Sequence, residues 1–115
     1  MSSDSYRQRR EAAVSAVSQI LAQLRDEPQN RRILLWSGRF EEIGATLTDS
    51  DEPDRTAVES AKELFDRLYV GGRNITDFYL VRTDFDEQRR LNLIFEEKVE
   101  ALGRILDERN DGDLS

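Results

Sequence analysis

One segment of this chain, residues 69–80, brings glycines, paired polar groups and aromatic rings together. It reads Tyr69-Val70-Gly71-Gly72-Arg73-Asn74-Ile75-Thr76-Asp77-Phe78-Tyr79-Leu80. Guanidinium, carboxylate, amide and phenol groups follow one another closely here, so the segment offers groups that can bind an anion or contact a partner. The sequence on either side has the pattern of charged amphipathic helices. The segment is therefore the candidate site.

Catalysis is the chemistry that the composition argues against most strongly. The chain has no His and no Cys, so it lacks the commonest general acid–base and the thiolate nucleophile. Carboxylates are numerous, but Glu41-Glu42 and Glu96-Glu97 are adjacent on expected helices and diverge by about a hundred degrees. No carboxylate pair is distinguished by an apolar setting. We predict that the protein is not an enzyme and uses no cofactor.

The Gly71-Gly72 pair allows two interpretations. A phosphate cradle needs glycines after a strand, with a Lys and a Ser or Thr opening the next helix. Here the glycines follow an expected helix and no Lys comes after them. A glycine directly after a helix commonly adopts the left-handed conformation that closes the last carbonyls. We expect a structural cap, with a small-anion or nucleotide-binding module as the weaker alternative.

Two charged runs lie outside the candidate site. The loop 48–54 is acidic, but it lacks the central Gly of a calcium loop, so we expect it to supply negative charge to the start of the next helix. The run Arg7-Gln8-Arg9-Arg10 could meet a phosphate or an acidic partner, and we expect a solvated helix start instead.

Helical periodicity predicts an all-α, single-domain bundle of four main helices. They run over about 5–25, from 28 or 30 to 47, over 53–69, and from 84 or 86 to 109, with about 1–4 and 110–115 frayed. Apolar residues recur three and four positions apart in the first three stripes. Gly38 falls within a stripe that stays in phase, which favours a continuous second helix. The predicted stripes are Val14, Val17, Leu21, Leu24; Ile33, Trp36, Phe40, Ile43, Leu47; Val58, Ala61, Phe65, Leu68; and Leu91, Phe95, Leu102, Leu106, with Ile94, Val99 and Ile105 flanking the last.

A short element is predicted between the third and fourth helices. Asn74 is a good N-cap, and Asp77 follows in the first turn where negative charge is favoured. This predicts a short helix reaching Val81 or Arg82. The run Phe78–Val81 consists of strong β formers, so a strand is the alternative, although an isolated strand has no visible partner.

The order of motifs also resembles a known family. Leu68-Tyr69-Val70-Gly71-Gly72 is followed by Asn74, by Asp77-Phe78-Tyr79-Leu80 and by Leu91-Asn92 at the opening of the last helix. This is similar to a family of small bacterial proteins known only as a domain of unknown function. The chain departs from that family at Arg73-Asn74, where Gly-Ser is commoner, and at Thr76, where Asn is commoner. The resemblance implies no established activity.

Charge narrows the class of partner. The formal net charge is −7, and residues 41–72 carry three basic and nine acidic side chains. An acidic surface opposes nucleic-acid binding, which needs Lys and Arg to displace counterions. No apolar run approaches the roughly 20 residues that span a bilayer, and no apolar leader follows Met1. We expect a cytoplasmic protein that binds neither nucleic acid nor membrane.

These observations favour protein–protein binding, with a basic partner and a role like that of an immunity protein or an antitoxin-like inhibitor. The alternative is a structural homo-oligomer that uses surplus apolar residues such as Leu35, Leu93 and Ile94. The predicted partner-binding residues are Tyr69, Arg73, Asn74, Asp77, Tyr79 and Arg82.

Overall fold

The computed structural model describes residues 2–71 and 74–107, and within them the chain forms four α-helices. The helices are α1 (Ser2–Arg25), α2 (Arg31–Leu47), α3 (Asp54–Arg67) and α4 (Phe85–Leu106), and a 3-10 turn (Ile75–Asp77) lies between α3 and α4. The predicted all-α bundle with a short helical element before the last helix is confirmed. Gly72, Arg73 and the expected frayed end at 110–115 lie outside the described residues.

The helix ends follow local capping chemistry. Asn30 accepts a hydrogen bond from the Ile33 amide at 2.9 Å, and Asp84 accepts one from the Glu87 amide at 3.0 Å, so both predicted N-caps are confirmed. The third helix ends at Arg67 rather than Tyr69. Beyond it, the amides of residues 68–70 bond three positions back, which is the tighter 3-10 geometry common at helix ends.

The core lies between α1 and the other three helices, all of which pack against it. The stripes of α2 and α3 are buried as predicted, and α2 runs unbroken through Gly38. In α4 the buried row is Phe95, Val99, Leu102 and Leu106, so Val99 is central rather than flanking, and Leu91 is only partly buried.

The stripe of α1 differs from the prediction by a rotation. The buried residues are Ala13, Val17, Ile20 and Leu24, while the expected Val14 and Leu21 are only partly buried. Both sets have helical spacing, so periodicity alone does not separate them. Because α1 contacts three helices, it buries a wide face that includes Ala13.

Arg10 is not a solvated side chain, contrary to the expectation for the basic run. Its guanidinium donates to the backbone carbonyls of Leu47, Asp49 and Glu52 and to the Asp54 carboxylate. The last carbonyls of α2 lack helical partners, and a guanidinium carries five donors in a fixed plane. One side chain from α1 thus closes the end of α2 and fixes the acidic loop.

Among residues 2–71 and 74–107, no cluster of His, Cys, Asp or Glu could hold a metal ion.

We expect opposite effects from two glycine substitutions. A Cβ at Gly103 would lie 2.8 Å from the Phe65 ring, whereas a Cβ at Gly38 would meet nothing within 4 Å. Gly103→Ala should lower the free energy of unfolding by about 1–3 kcal/mol because the ring must move. Gly38→Ala should raise it by about 0.5–1 kcal/mol through helix propensity. Urea denaturation of both variants checks this, and a Gly103→Ala variant as stable as wild type would contradict the α3–α4 contact.

Candidate functional site

The chain between α3 and α4, residues 68–84 (the connection), contains the candidate site. Its 3-10 turn ends at Asp77, and Phe78 already has extended backbone angles, with φ −85° and ψ 137°. The predicted short helix reaching Val81 or Arg82 is therefore wrong beyond Asp77. Phe78 and Leu80 are buried while Tyr79 and Val81 are exposed, which is the alternation of a strand.

Side-chain amides of α4 take the place of a neighbouring strand. Asn92 accepts a hydrogen bond from the Leu80 amide at 2.7 Å and donates one to the Leu80 carbonyl at 2.8 Å. Gln88 accepts a hydrogen bond from the Arg82 amide at 2.8 Å. Residues four apart on a helix rise by about 6 Å, and residues two apart on a strand by about 6.6 Å. The two amide side chains therefore match the spacing of the extended backbone.

Gly71 and Asn74 shape the first half of the connection. Gly71 has a φ of 102°, so the positive φ that we expected of a glycine after the third helix is confirmed. It lies four residues beyond the end of α3 at Arg67, where Leu68 is the C-cap residue. The Asn74 side chain accepts from the Thr76 amide at 2.9 Å and donates to the Gly71 carbonyl at 3.0 Å. Asn74 is thus a capping residue, as predicted.

Arg82 anchors the end of the connection to the turn after α1. Its two terminal nitrogens donate to the two carboxylate oxygens of Glu27 at 2.7 and 2.6 Å. The Glu27 side chain is only 4% exposed, and a buried carboxylate needs such a partner. The hydrogen bond with Glu27 raises the pKa of Arg82 above its ordinary value. The guanidinium of this predicted partner-binding residue is therefore engaged within the chain.

A groove lies below Tyr69, bounded by the end of α3, the 3-10 turn and α4. We call it the Tyr69 groove. It has a volume of about 260 Å³. Its floor is apolar and buried, and its rim carries exposed polar groups. The lining residues are Tyr69, Ile75, Thr76, Phe78, Asn92, Phe95, Glu96, Val99 and Glu100.

Tyr69 forms one wall of the groove. Its ring packs against Phe65 with centroids 5.5 Å apart, and the residue stays 42% exposed. Partial burial is the largest cause that raises the pKa of the Tyr69 phenol above its ordinary value, and the nearby carboxylates of Glu100 and Asp66 raise it further. The wall of the groove is therefore a place where added negative charge is unfavourable.

Tyr79 lies away from the groove, beside a residue that sequence reasoning missed. The Arg32 guanidinium lies 5.0 Å from the Tyr79 ring centroid and 5.5 Å from that of Phe78. Arg32, Tyr79 and Val81 line a smaller cleft of about 80 Å³. Phe78 lines both this cleft and the Tyr69 groove. No sequence signal joins Arg32 to Tyr79, because the contact depends on how α2 packs against the connection.

The predicted site residues are thus not one cluster. Tyr69 belongs to the groove and Tyr79 to the smaller cleft, while Asn74 and Arg82 make internal hydrogen bonds. Asp77 is exposed at the end of the 3-10 turn. Arg73 lies outside the described residues. Three polar residues of α4 that were not predicted as site residues also line the groove: Asn92, Glu96 and Glu100.

Fold and site together define a small acidic four-helix protein with a braced connection and a shallow groove. No protein-family model, curated protein or solved structure matches the chain at a significant level. The resemblance to the bacterial family of unknown function accordingly stays a prediction. Within residues 2–71 and 74–107, no helix combines the length and apolar composition needed to cross a bilayer.

Asn92→Leu should destabilise the fold by about 1–3 kcal/mol, because it leaves both backbone polar groups of Leu80 without partners. Leu80 is only 1% exposed, so water is a poor substitute. Gln8→Leu, which replaces an exposed amide on α1, should change the free energy of unfolding by no more than about 0.5 kcal/mol. Urea denaturation compares the two variants. Equal effects would show that the amide pair does not brace the connection.

Tyr69 should deprotonate above the ordinary tyrosine value of about 10. The tyrosinate absorbance that Tyr69→Phe removes should appear at higher pH in the folded protein than in guanidinium chloride. Glu100→Gln should shift it back towards the ordinary value. The Tyr69 pKa is higher in the folded state than in the unfolded state. The contribution of Tyr69 to the free energy of unfolding is therefore complete below about pH 10, and it is lost as the pH rises through the pKa of the folded state. An unshifted component would contradict the position of Tyr69 beside Glu100 and Asp66.

Proposed function

We propose that this protein acts by binding another protein and that the connection between α3 and α4 forms its contact surface. The proposal rests on large apolar side chains that are exposed on a backbone held in place by hydrogen bonds. Tyr69, Val70, Tyr79 and Val81 all lie in the connection and are exposed, and Phe85 follows at the start of α4. Tyrosines are enriched among the residues that contribute most to binding energy at interfaces.

The bracing of the connection supports binding because a fixed backbone loses little freedom when a partner docks. Gly71 and Asn74 shape its beginning, Asn92 pairs with Leu80 in its middle, and Arg82 fixes its end to Glu27. Affinity improves when ordering costs are met before association. A flexible loop with the same side chains would lose part of that gain.

The charge of the chain supports a basic partner. The net charge is −7, and Glu96, Glu100 and Asp77 are exposed in or beside the connection. Complementary charge speeds association and discriminates between partners. An inhibitor of a basic protein, such as a nuclease, would have this charge. We therefore propose a role like that of an immunity protein or an antitoxin-like inhibitor, acting in the cytoplasm.

A structural homo-oligomer is the second candidate function. The observation that favours it is the exposure of Leu35, Leu93 and Ile94 on α2 and α4. Ile94 also borders a groove of about 330 Å³ between α1 and α4. Light scattering of the purified protein separates the two candidates, because a stable monomer excludes a function that depends on self-association.

The test of the first candidate is a pair of matched truncations. Tyr79 and Leu35 are 51% and 48% exposed, so Tyr79→Ala and Leu35→Ala each truncate a side chain that is about half exposed. Tyr79→Ala should weaken binding to a partner purified from the native cell by about 2 kcal/mol or more, as expected for a hot spot. Leu35→Ala should leave the affinity unchanged. Calorimetric titration measures both.

Arg82→Ala does not serve this test, because it also breaks the ion pair with buried Glu27. Arg73→Ala can be added as a third truncation. If Tyr79→Ala and Arg73→Ala both remain folded and bind the partner as tightly as wild type, the connection is not the contact surface. Binding that is insensitive to salt would contradict the basic partner.

A further inference from the structure

We propose that the Tyr69 groove receives one long cationic side chain, of arginine or lysine, from the partner protein; this inference rests on the proposed function. Apolar, aromatic and acidic groups converge at this groove. The shape and charge of the groove determine which occupant it can accept. The three kinds of occupant to consider are apolar, anionic and cationic.

The floor of the groove suits the stem of such a side chain. Ile75, Val99, Phe78 and Phe95 are buried beneath the groove. The Phe78 and Phe95 rings meet nearly edge to face, with centroids 5.5 Å apart. Arginine and lysine lay their methylene groups on apolar surfaces of this kind while the charged end stays near water. Aromatic rings also attract a cation close to their faces.

The rim of the groove suits the charged end. Glu96 and Glu100 are four residues apart on α4, so they lie on one side of that helix. Both are exposed, and neither makes an ion pair with a residue that the structure describes. The lining residues include no Arg and no Lys. A guanidinium or ammonium group would find two carboxylates at the rim.

The polar groups inside the groove are already engaged. Both atoms of the Asn92 amide bond to the Leu80 backbone, and the Thr76 hydroxyl donates to Asn74. An anion would therefore meet two carboxylates and few free donors. A purely apolar occupant would cover the carboxylates without pairing them, which is unfavourable. A side chain with an apolar stem and a cationic end matches both the apolar floor and the acidic rim.

The size of the groove limits the occupant to about one side chain. Its volume of about 260 Å³ lies below the range of roughly 300–1,000 Å³ that is typical of drug-sized ligand sites. Partial burial is the largest cause of the raised pKa of Tyr69, and the smaller contributions of Glu100 and Asp66 agree with a negative potential at this wall. Asp66 itself pairs with Lys62 at 2.9 Å, so Glu96 and Glu100 are the carboxylates left to bind.

The test uses blocked amino acids as probes of the groove. Nα-acetyl-arginine methylamide and its lysine analogue are titrated into the isotope-labelled full chain, and backbone amide shifts are recorded by NMR. The controls are the norleucine analogue, which has an apolar stem without charge, and the glutamate analogue. Saturable shifts at Thr76, Glu96, Val99 and Glu100 with the cationic probes alone are the expected result.

Two double variants with equal net charge make the test specific. Glu96→Gln with Glu100→Gln should weaken binding of the arginine probe on the order of tenfold, because charge-assisted hydrogen bonds are lost. Glu41→Gln with Glu42→Gln, on the exposed face of α2, should leave it unchanged. Equal weakening by both pairs would reveal general attraction to an acidic protein and overturn the proposal.

Other outcomes also decide the question. Equal binding of the norleucine analogue would make the groove an apolar site, and the absence of shifts with either cationic probe would mean that it takes no such side chain. Loss of partner affinity in Tyr79→Ala, together with no probe binding, would reject the groove while the proposed function stands. Probe binding, together with partner affinity that is unchanged in Tyr79→Ala, in Arg73→Ala and in the Glu96→Gln, Glu100→Gln pair, would reject the proposed contact surface and the partner as the source of the side chain.

Discussion

The connection between α3 and α4 depends on one arrangement, the pairing of an extended backbone with amide side chains on a helix. Leu80 is buried, so its amide and carbonyl need partners that water does not supply. Asn92 bonds to both, and Gln88 bonds to the next amide that faces α4. With this pairing, a single extended segment can lie in a helical bundle without a second strand beside it.

The consequences of this pairing extend along the connection in both directions. With Leu80 fixed, Phe78 contacts Trp36 and Phe95 in the core, at centroid distances of 6.0 and 5.5 Å. Alternation then turns Tyr79 and Val81 outward. Arg82 reaches Glu27 and closes the segment against the turn after α1. The exposed residues of the connection are thus a result of what its buried residues require.

The sequence predicted the helices, most core stripes and three N-caps because these depend on contacts within a few residues. Asn30, Asn74 and Asp84 cap the elements that follow them, and periodicity predicted the buried residues of α2 and α3. It did not separate Ala13 and Ile20 from Val14 and Leu21, since both sets suit a helix. The choice is made by how three other helices surround α1.

What the sequence could not supply are the contacts that join distant positions. Arg10 looked like part of a solvated basic run, yet it binds three carbonyls and a carboxylate around the loop after α2. Arg82 looked free to contact a partner, yet it pairs with Glu27. Both are arginines at sites where several acceptors lie in fixed positions, and a planar guanidinium suits that geometry. In an arginine-rich chain, composition gives no sign of which guanidinium is used inside the fold.

The polar side chains of the candidate site fall into two groups, those that hold the fold and those that are exposed to a partner. A polar side chain whose hydrogen bonds are all made within the chain contributes to shape, and Asn74, Asn92 and Arg82 belong to this group. The Tyr79 ring is exposed on the connection that the first group fixes, and Glu96 and Glu100 are exposed on α4 beside it. Phe78 lies between the two surfaces and lines both of them. Phe78 also packs against Trp36 and Phe95 in the core. A partner that binds at either surface would therefore contact a part of the connection that is packed against the core.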